Sequence, residues 1–512
     1  MLNLLRHPFG PPLDEKDLAQ QSLPKRFALP IFSSDALSSV AYATDQILAV
    51  LALAGIAYFG RSMDIALVIT AMLAILLLSY RQIIFSYPNG GGAYIVARDQ
   101  LGDRFAQVAA AALLIDYTLT VAVSISSGVA NFSSGLSQFL PSVPPFSANL
   151  SVIVALSVLA LMWYVNMRGL REAGRAFAIP TYFFLVSVLF MLGVGFVRLL
   201  AGNLGDVEDV PGIIQATESM SLFLLLRAFA SGSTAVTGIE AISNGIPSFQ
   251  EPRTRNAATT MTIMCALLAV MFLGITKLSL ETAVQASTAE TVISQLGRTV
   301  FSPHSPFFVA LIFATAGILM MAANTSFAGF PRLAALMAAD GFLPRWLADR
   351  DNRLVYGIGI TALALAAGLL ITVFRANVSS LIPLYAIGVF LSFTISQSGM
   401  VRRWHRVSRL QPGDVIPRYS PEGTLVTTLT PDRRWSLKLA MNALGAVTTA
   451  TVAVVFAIAK FTEGAWITLI MIPTLVLIFL RIHTFSRTVQ ERLAVDNLDV
   501  GTYVHTPVPR VR

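Results

Sequence analysis

Stretches of about 20 apolar residues recur along this chain with hardly a charge inside them, the length a helix needs to cross a bilayer core of roughly 30 Å. Twelve can be drawn, over residues 28–56, 63–84, 104–134, 149–167, 175–200, 219–246, 257–278, 306–330, 355–374, 379–400, 436–459 and 463–481. Composition agrees: 55% of the 512 residues are hydrophobic and 12% charged, where soluble domains carry about 25% charge. The expectation is an all-α polytopic membrane protein of twelve transmembrane helices.

Lys and Arg set its sidedness. With the first residues inside, 29 of the 36 cations fall on the inner side and six outside, while Arg227 lies within the sixth span. The net charge of +8 is then a topology signal, and nucleic-acid binding is excluded as its explanation. The N-terminal MLNLLRHPFGPPLDEKD has no continuous apolar core or small-residue cleavage site and reads as a cytosolic tail. The layout expected is a tail (1–27), helices 1–10 (28–400), a basic cytosolic loop (401–435), helices 11–12 (436–481) and a cytosolic tail (482–512), in the cytoplasmic membrane. Cys265, the single cysteine, rules out an intramolecular disulfide and reads as a small core residue.

Lipid tolerates ionisable groups poorly, so those inside spans face cavities or pathways. The first span holds FSSDALSSVAYATD, with Asp35, Asp45 and six hydroxyl side chains in fourteen positions. The sixth holds STAVTGIEAI; at an offset of 195 residues Tyr42 faces Thr237 and Asp45 faces Glu240. Both spans head blocks of five. Because five is odd, the second block must be inverted, which implies a five-plus-five repeat with interrupted first and sixth helices and a substrate site at the breaks. Gly232 and Gly238 permit a break in the sixth span, whereas the first has no glycine between Phe32 and Asp45.

In the third span LLIDYTLTVAVSIS places Asp116, Thr120 and Ser124 at i, i+4 and i+8, one stripe about 12 Å long. Hydroxyls alone would suit helix-to-helix hydrogen bonding, but Asp116 has no basic neighbour in its own span. Thr237 and Glu240 share a face of the sixth, where a structural acid bonded to a helix N-terminus is the lesser reading of Glu240. Carboxylates gathered in a low-dielectric cavity cannot all stay ionised without a cation, so such a site exchanges protons against a bound cation. Oxygen donors without His or Cys favour a hard cation over a transition metal. His7, His304, His405, His483 and His505 all read as solvated loop or tail groups.

Other motifs are weaker. YPNGGGAY (87–94) lacks the Lys-Ser/Thr of a phosphate loop and reads as a tight membrane re-entry. PLYAIG carries Pro383, which can kink the tenth span, and Tyr385, a gate or an ordinary packing aromatic. VRRWHRVSR (401–409) is topological, with lipid headgroup contact the lesser reading. No nucleophile–base pair or metal constellation lies in the spans, so an enzyme is not expected.

FSSDALSSVAYATDQI, SYRQIIFSYPNGGGAYIVARDQLG and TGIEAISNGIPSFQEPRTRNAATTM resemble the KimA-type potassium importers. These form the potassium uptake permease family within the amino acid–polyamine–organocation (APC) superfamily. The likeness runs from about residue 23 to the twelfth span. The first string is specific to this group; the last, taken alone, fits the wider superfamily. The resemblance implies a LeuT-like inverted-repeat core and potassium–proton symport, with potassium as substrate, the proton as coupling ion and no cofactor. Its ion-binding positions fall on Tyr42, Asp116, Thr120, Ser124, Thr237 and Glu240. By the same likeness Asp35 and Tyr385 fall at the cytosolic-side gate, Asp35 also able to hold an ion, and Glu240 is the proton-coupling acid. Asp45 inherits no role and reads as helix-end capping or support. Family members often continue into a cytosolic domain that binds a cyclic dinucleotide and mediates dimer contacts. This sequence ends about thirty residues after the twelfth span, so nucleotide regulation is not carried over and a homodimer stays open.

The nearest rival is a proton-coupled amino-acid permease of the same superfamily. Such permeases resemble one another in an uncharged, glycine-rich break that receives the substrate carboxylate; Asp35 there would repel it. A polyamine suits an acidic cavity but calls for an aromatic cage. A non-transporting sensor is disfavoured, since no output domain is attached.

Overall fold

A computed structural model describes residues 22–139, 146–210, 212–287, 290–384, 386–419, 423 and 425–493. The first span is two helices, α1 (Lys25–Ser38) and α2 (Val40–Ala52), followed by α3 (Arg61–Ser86). A glycine turn leads into α4 (Gly92–Gln100), and the third span is the single long helix α5 (Asp103–Phe139). Next come α6 (Ala148–Met167), capped by the Ser147 hydroxyl, which accepts from Leu150 N, and α7 (Leu170–Leu200). The sixth span breaks into α8 (Leu222–Gly232), a tight turn over Ser233–Val236 and the short α9 (Glu240–Asn244). It is followed by α10 (Arg253–Glu281), the amphipathic α11 (Val292–Phe301), α12 (Pro306–Ala339) and α13 (Gly357–Val373).

The tenth span is also split. α14 (Val378–Leu381) passes into a tight turn over Ile382–Leu384, and the helix restarts as α15 (Ile387–Val407) after Ala386 at φ +77°. A left-handed alanine costs about 1–2 kcal/mol, so packing must enforce this break. Strands β1 (Ile416–Tyr419) and β2 (Leu425–Leu429) then pair antiparallel, Ile416 opposite Leu429, before α16 (Trp435–Ala459) and α17 (Trp466–Leu493). The hairpin adds a small β element to an otherwise helical array, and α4 and α11 place further helices in the loops between spans.

Among the described residues nine helices are long and apolar enough to cross a membrane, with Gly357–Val373 a shorter apolar one. Their burial decides which are central. The best apolar window of α5 is 89% buried, against 22% for the last helix, so α5 is the hub and α17 faces the periphery. The most extensive packing is between α5 and α12, and small residues permit it. A Cβ on Gly128 would come 3.0 Å from Met320 N, and one on Gly329 2.7 Å from the Tyr117 ring. Without a hydrophobic drive between helices in lipid, such close approach is the main source of association. Cys265 is buried and free, as its core reading expects.

The histidine reading holds for His304, exposed in a turn, and needs correcting in part elsewhere. His405 is exposed but lies in the last turn of α15. His483 lies on α17, stacked on Phe342 with centroids 4.1 Å apart; an aromatic contact from α17 back to the loop after α12 replaces the solvated tail expected. His7 and His505 lie outside the described residues.

Candidate functional site

The sixth span is broken where its glycine suggested. Thr237 is extended (φ −70°, ψ 159°), Gly238 is left-handed at φ +82°, and helix resumes at Glu240. A Cβ at position 238 would lie 2.7 Å from Asp35 Oδ2 and 3.0 Å from Ala36 N. The missing side chain therefore lets the first span press its carboxylate against the break.

The first span is interrupted by other means. Ser39 keeps right-handed angles (φ −60°, ψ −24°). The Ser38 and Ser39 hydroxyls donate to Asp35 O at 2.8 and 3.2 Å, and Ser39 Oγ also donates to Ala36 O at 2.8 Å. Serine hydroxyls that compete for main-chain carbonyls disturb a helix without a glycine. Ser34 Oγ and Thr325 Oγ1 meet at 3.0 Å, and Thr325 Oγ1 donates to Ile31 O at 3.1 Å, which pins α1 to α12.

Around these breaks the structure assembles three carboxyl groups. Asp35, Asp116 and Glu240 are all nearly inaccessible, at 5, 3 and 1% exposure, and lie within Coulombic range of one another. None forms an ion pair among the described residues. Asp116 Oδ1, Thr120 Oγ1 and Glu240 Oε2 are buried without a hydrogen-bond partner. An orphaned buried oxygen costs roughly 1–3 kcal/mol, more if charged, so three in one neighbourhood mark a place built to hold something. Ser124 continues the α5 stripe and is buried. Thr237 Oγ1 donates to Thr234 O at 2.9 Å. Tyr42 lies half-buried on α2, beyond the interruption at Ser39. Tyr385 lies outside the described residues, but Gly388 of α15 abuts the cluster: its Cβ would fall 2.5 Å from Ala112 O and 3.5 Å from Asp116 Cβ. No group of three His, Cys, Asp or Glu residues among the described residues is arranged as a metal cage. A cation here would need mixed oxygen ligands: carboxylates, hydroxyls and the carbonyls released at the break.

Asp45 stands apart from this cluster. One of its oxygens accepts from Val292 N at 3.1 Å, at the start of α11, which is the helix-end role read from sequence. Arg227, placed within the sixth span by sequence, donates to Glu463 at 2.5 Å and to Glu218 at 3.4 Å.

Several neighbours escaped the sequence reading. Asn244 Nδ2 donates to Tyr117 Oη at 2.6 Å, and Arg332 reaches Asn244 O at 3.4 Å and Ser248 Oγ at 2.5 Å. The available signals were that Tyr117 follows Asp116 and that Asn244 lies four residues after Glu240. Beside α9, Tyr94 Oη donates to Asp340 at 2.6 Å; burial, then the Asp340 charge, push this phenol well up from its ordinary range. The hairpin braces the same end: Arg418 Nε pairs with Asp99 Oδ1 at 2.8 Å, Tyr87 Oη donates to Asp99 Oδ2 at 2.9 Å, and Asn89 donates to Leu425 O at 2.9 Å.

A family model described as amino acid permease matches residues 29–487. The chain belongs to that family. It is 38% identical over 513 aligned residues to Potassium transporter KimA of Bacillus subtilis (strain 168), an alignment spanning 99% of this chain and 79% of that one. It is also 24% identical over 379 residues to Cationic amino acid transporter 4, vacuolar, of Arabidopsis thaliana, spanning 68% and 57% of the two chains. The KimA-type resemblance read from three short strings thus extends along the whole chain, as a multi-pass permease.

Proposed function

We propose that this protein carries potassium into the cell across the cytoplasmic membrane as a potassium–proton symporter working by alternating access. The observation that carries the reading is the buried group of Asp35, Asp116 and Glu240 with unpartnered oxygens at Asp116, Thr120 and Glu240. Similarity to a relative named as a potassium transporter supports the choice of ion. In this reading Tyr42, Asp116, Thr120, Ser124, Thr237 and Glu240 bind potassium, while Asp35 and Tyr385 guard the cytosolic side. Glu240 takes the proton, because clustered carboxylates in a dry cavity exchange a proton for a cation at little net cost. Twelve spans, a five-plus-five inverted core, both termini in the cytosol and the domain boundaries given above complete the proposal. The cation is substrate; no cofactor is invoked, and a homodimer is left to experiment.

The alternative is a proton-coupled amino-acid or polyamine permease of the same superfamily; for an amino acid it draws on the second relative's name, a cationic amino acid transporter. Rubidium uptake by proteoliposomes under an imposed proton gradient separates them. Symport predicts gradient-driven uptake that Asp116→Asn and Glu240→Gln abolish, along with rescue of a potassium-uptake-deficient strain. Uptake indifferent to the gradient would sink the coupling, and amino-acid uptake without rubidium uptake would sink the potassium reading.

A further inference from the structure

The glycine triplet of YPNGGGAY fits no phosphate and takes no part in the site above, yet it is seated with unusual closeness. Gly90, Gly91 and Gly92 all have positive φ, at +78°, +89° and +45°. A Cβ on Gly92 would fall 2.1 Å from Asn244 Oδ1 and 2.9 Å from Ser243 Oγ; one on Gly90 would fall 2.8 Å from Pro247 Cδ and 3.0 Å from Asn244 O. The turn therefore lies directly on residues 243–247, a position open only to a backbone without side chains.

Asn244 is where four elements meet. Its backbone ends α9, one turn beyond Glu240, about 6 Å along the axis. Its amide donates to Tyr117 on α5, next to Asp116, and its carbonyl accepts from Arg332 on α12. The glycine turn covers it from outside. Asn244 and Tyr117 are 4 and 2% exposed, and Asn244 Oδ1 is buried with no partner. Asn244 thus ties α5, α9 and α12 together one turn from Glu240.

We propose that Asn244, with Tyr117 and the glycine turn, is the latch of the inner gate, a positioning residue that senses the ion site through Glu240 and Tyr117. The proposal rests on the reading of the carboxylate group as the transported ion's site. Asparagine suits the task because it donates and accepts without charge. An aspartate there would add a fourth carboxylate and hold a departing cation.

The test uses the full chain, in which buried Cys265 is the only native thiol, with Thr120→Cys as reporter inside the pathway. A membrane-impermeant thiol reagent is applied from the inner side of oriented vesicles, and rubidium uptake is measured in parallel without the reporter. Asn244→Ala should raise the reporter's labelling rate about tenfold, the equilibrium shift that one lost buried hydrogen bond gives, and lower uptake. Tyr117→Phe, which keeps the ring, should act in the same direction but less. Labelling unchanged in both variants, whatever happens to uptake, overturns the latch, as does a rise seen only from the outer side. If the unsubstituted chain carries no rubidium while Asn244→Ala still raises labelling, the latch stands and the potassium reading falls.

Discussion

In the sixth span the helix ends at Val236, crosses Thr237 in extended form and Gly238 at φ +82°, and begins again at Glu240. In the first, Ser39 keeps helical angles, and the disturbance lies in the hydrogen bonds. The two kinds of interruption leave different chemistry behind. A true break turns main-chain carbonyls out of their ladder and offers them to a cation. Serine back-bonding does the reverse, since Asp35 O and Ala36 O already accept from hydroxyls. On the proposed reading the first span contributes side chains, Asp35 and Tyr42, whereas the sixth contributes backbone oxygen as well as Thr237 and Glu240. Two interrupted helices need not be interrupted by the same chemistry.

The largest effect expected from disturbing this pairing is at Gly238. Gly238→Ala would force a Cβ into the left-handed region, at about 1–2 kcal/mol, and against Asp35 Oδ2 at 2.7 Å. Rubidium uptake should fall at least about a hundredfold, as two such penalties combine, with a lowered thermal midpoint in detergent. Uptake within twofold of the parent would mean that the break is dispensable. Replacing Ser38 and Ser39 together by alanine removes the back-bonds and lets the ladder of the first span close. The expected loss of uptake is about tenfold or less, the worth of one or two buried hydrogen bonds. A loss as deep as that of Gly238→Ala would show that the two interruptions are equivalent after all. The smallest effect belongs to Asp45→Asn, which keeps an acceptor for Val292 N but drops the charge at the start of α11. A destabilisation of about 0.3–1 kcal/mol, read as a small drop in thermal midpoint with uptake within about threefold, is expected. Abolished uptake would instead put Asp45 in the transport machinery.

The features legible beforehand were those carried by local sequence. Apolar runs announce spans because crossing length is a property of consecutive residues, and Gly238 announced its break because left-handed backbone needs glycine. The stripe of Asp116, Thr120 and Ser124 followed from helical spacing on what proved to be one unbroken helix. Ser39 went unmarked, since serine occurs in many intact helices and only its neighbours' acceptors decide. The hairpin over 416–429 was hidden for a related reason: its strands are short, and they are held by Asp99 and Asn89, more than 300 positions earlier in the chain. His483 was misjudged because its partner, Phe342, lies in a distant loop. Sequence likewise named the three carboxylates but not their enclosure by Asn244, Tyr117 and Arg332, which depends on how three separated helices cross.

The bond from Asp45 to Val292 N joins the far end of the first span to a helix that carries no ion ligand. If α2 tilts during transport, α11 is drawn along with it like a lever on a shaft. Because seven of the ten residues of α11 are themselves buried, such a movement would be carried through the packed interior rather than taken up by one helix alone.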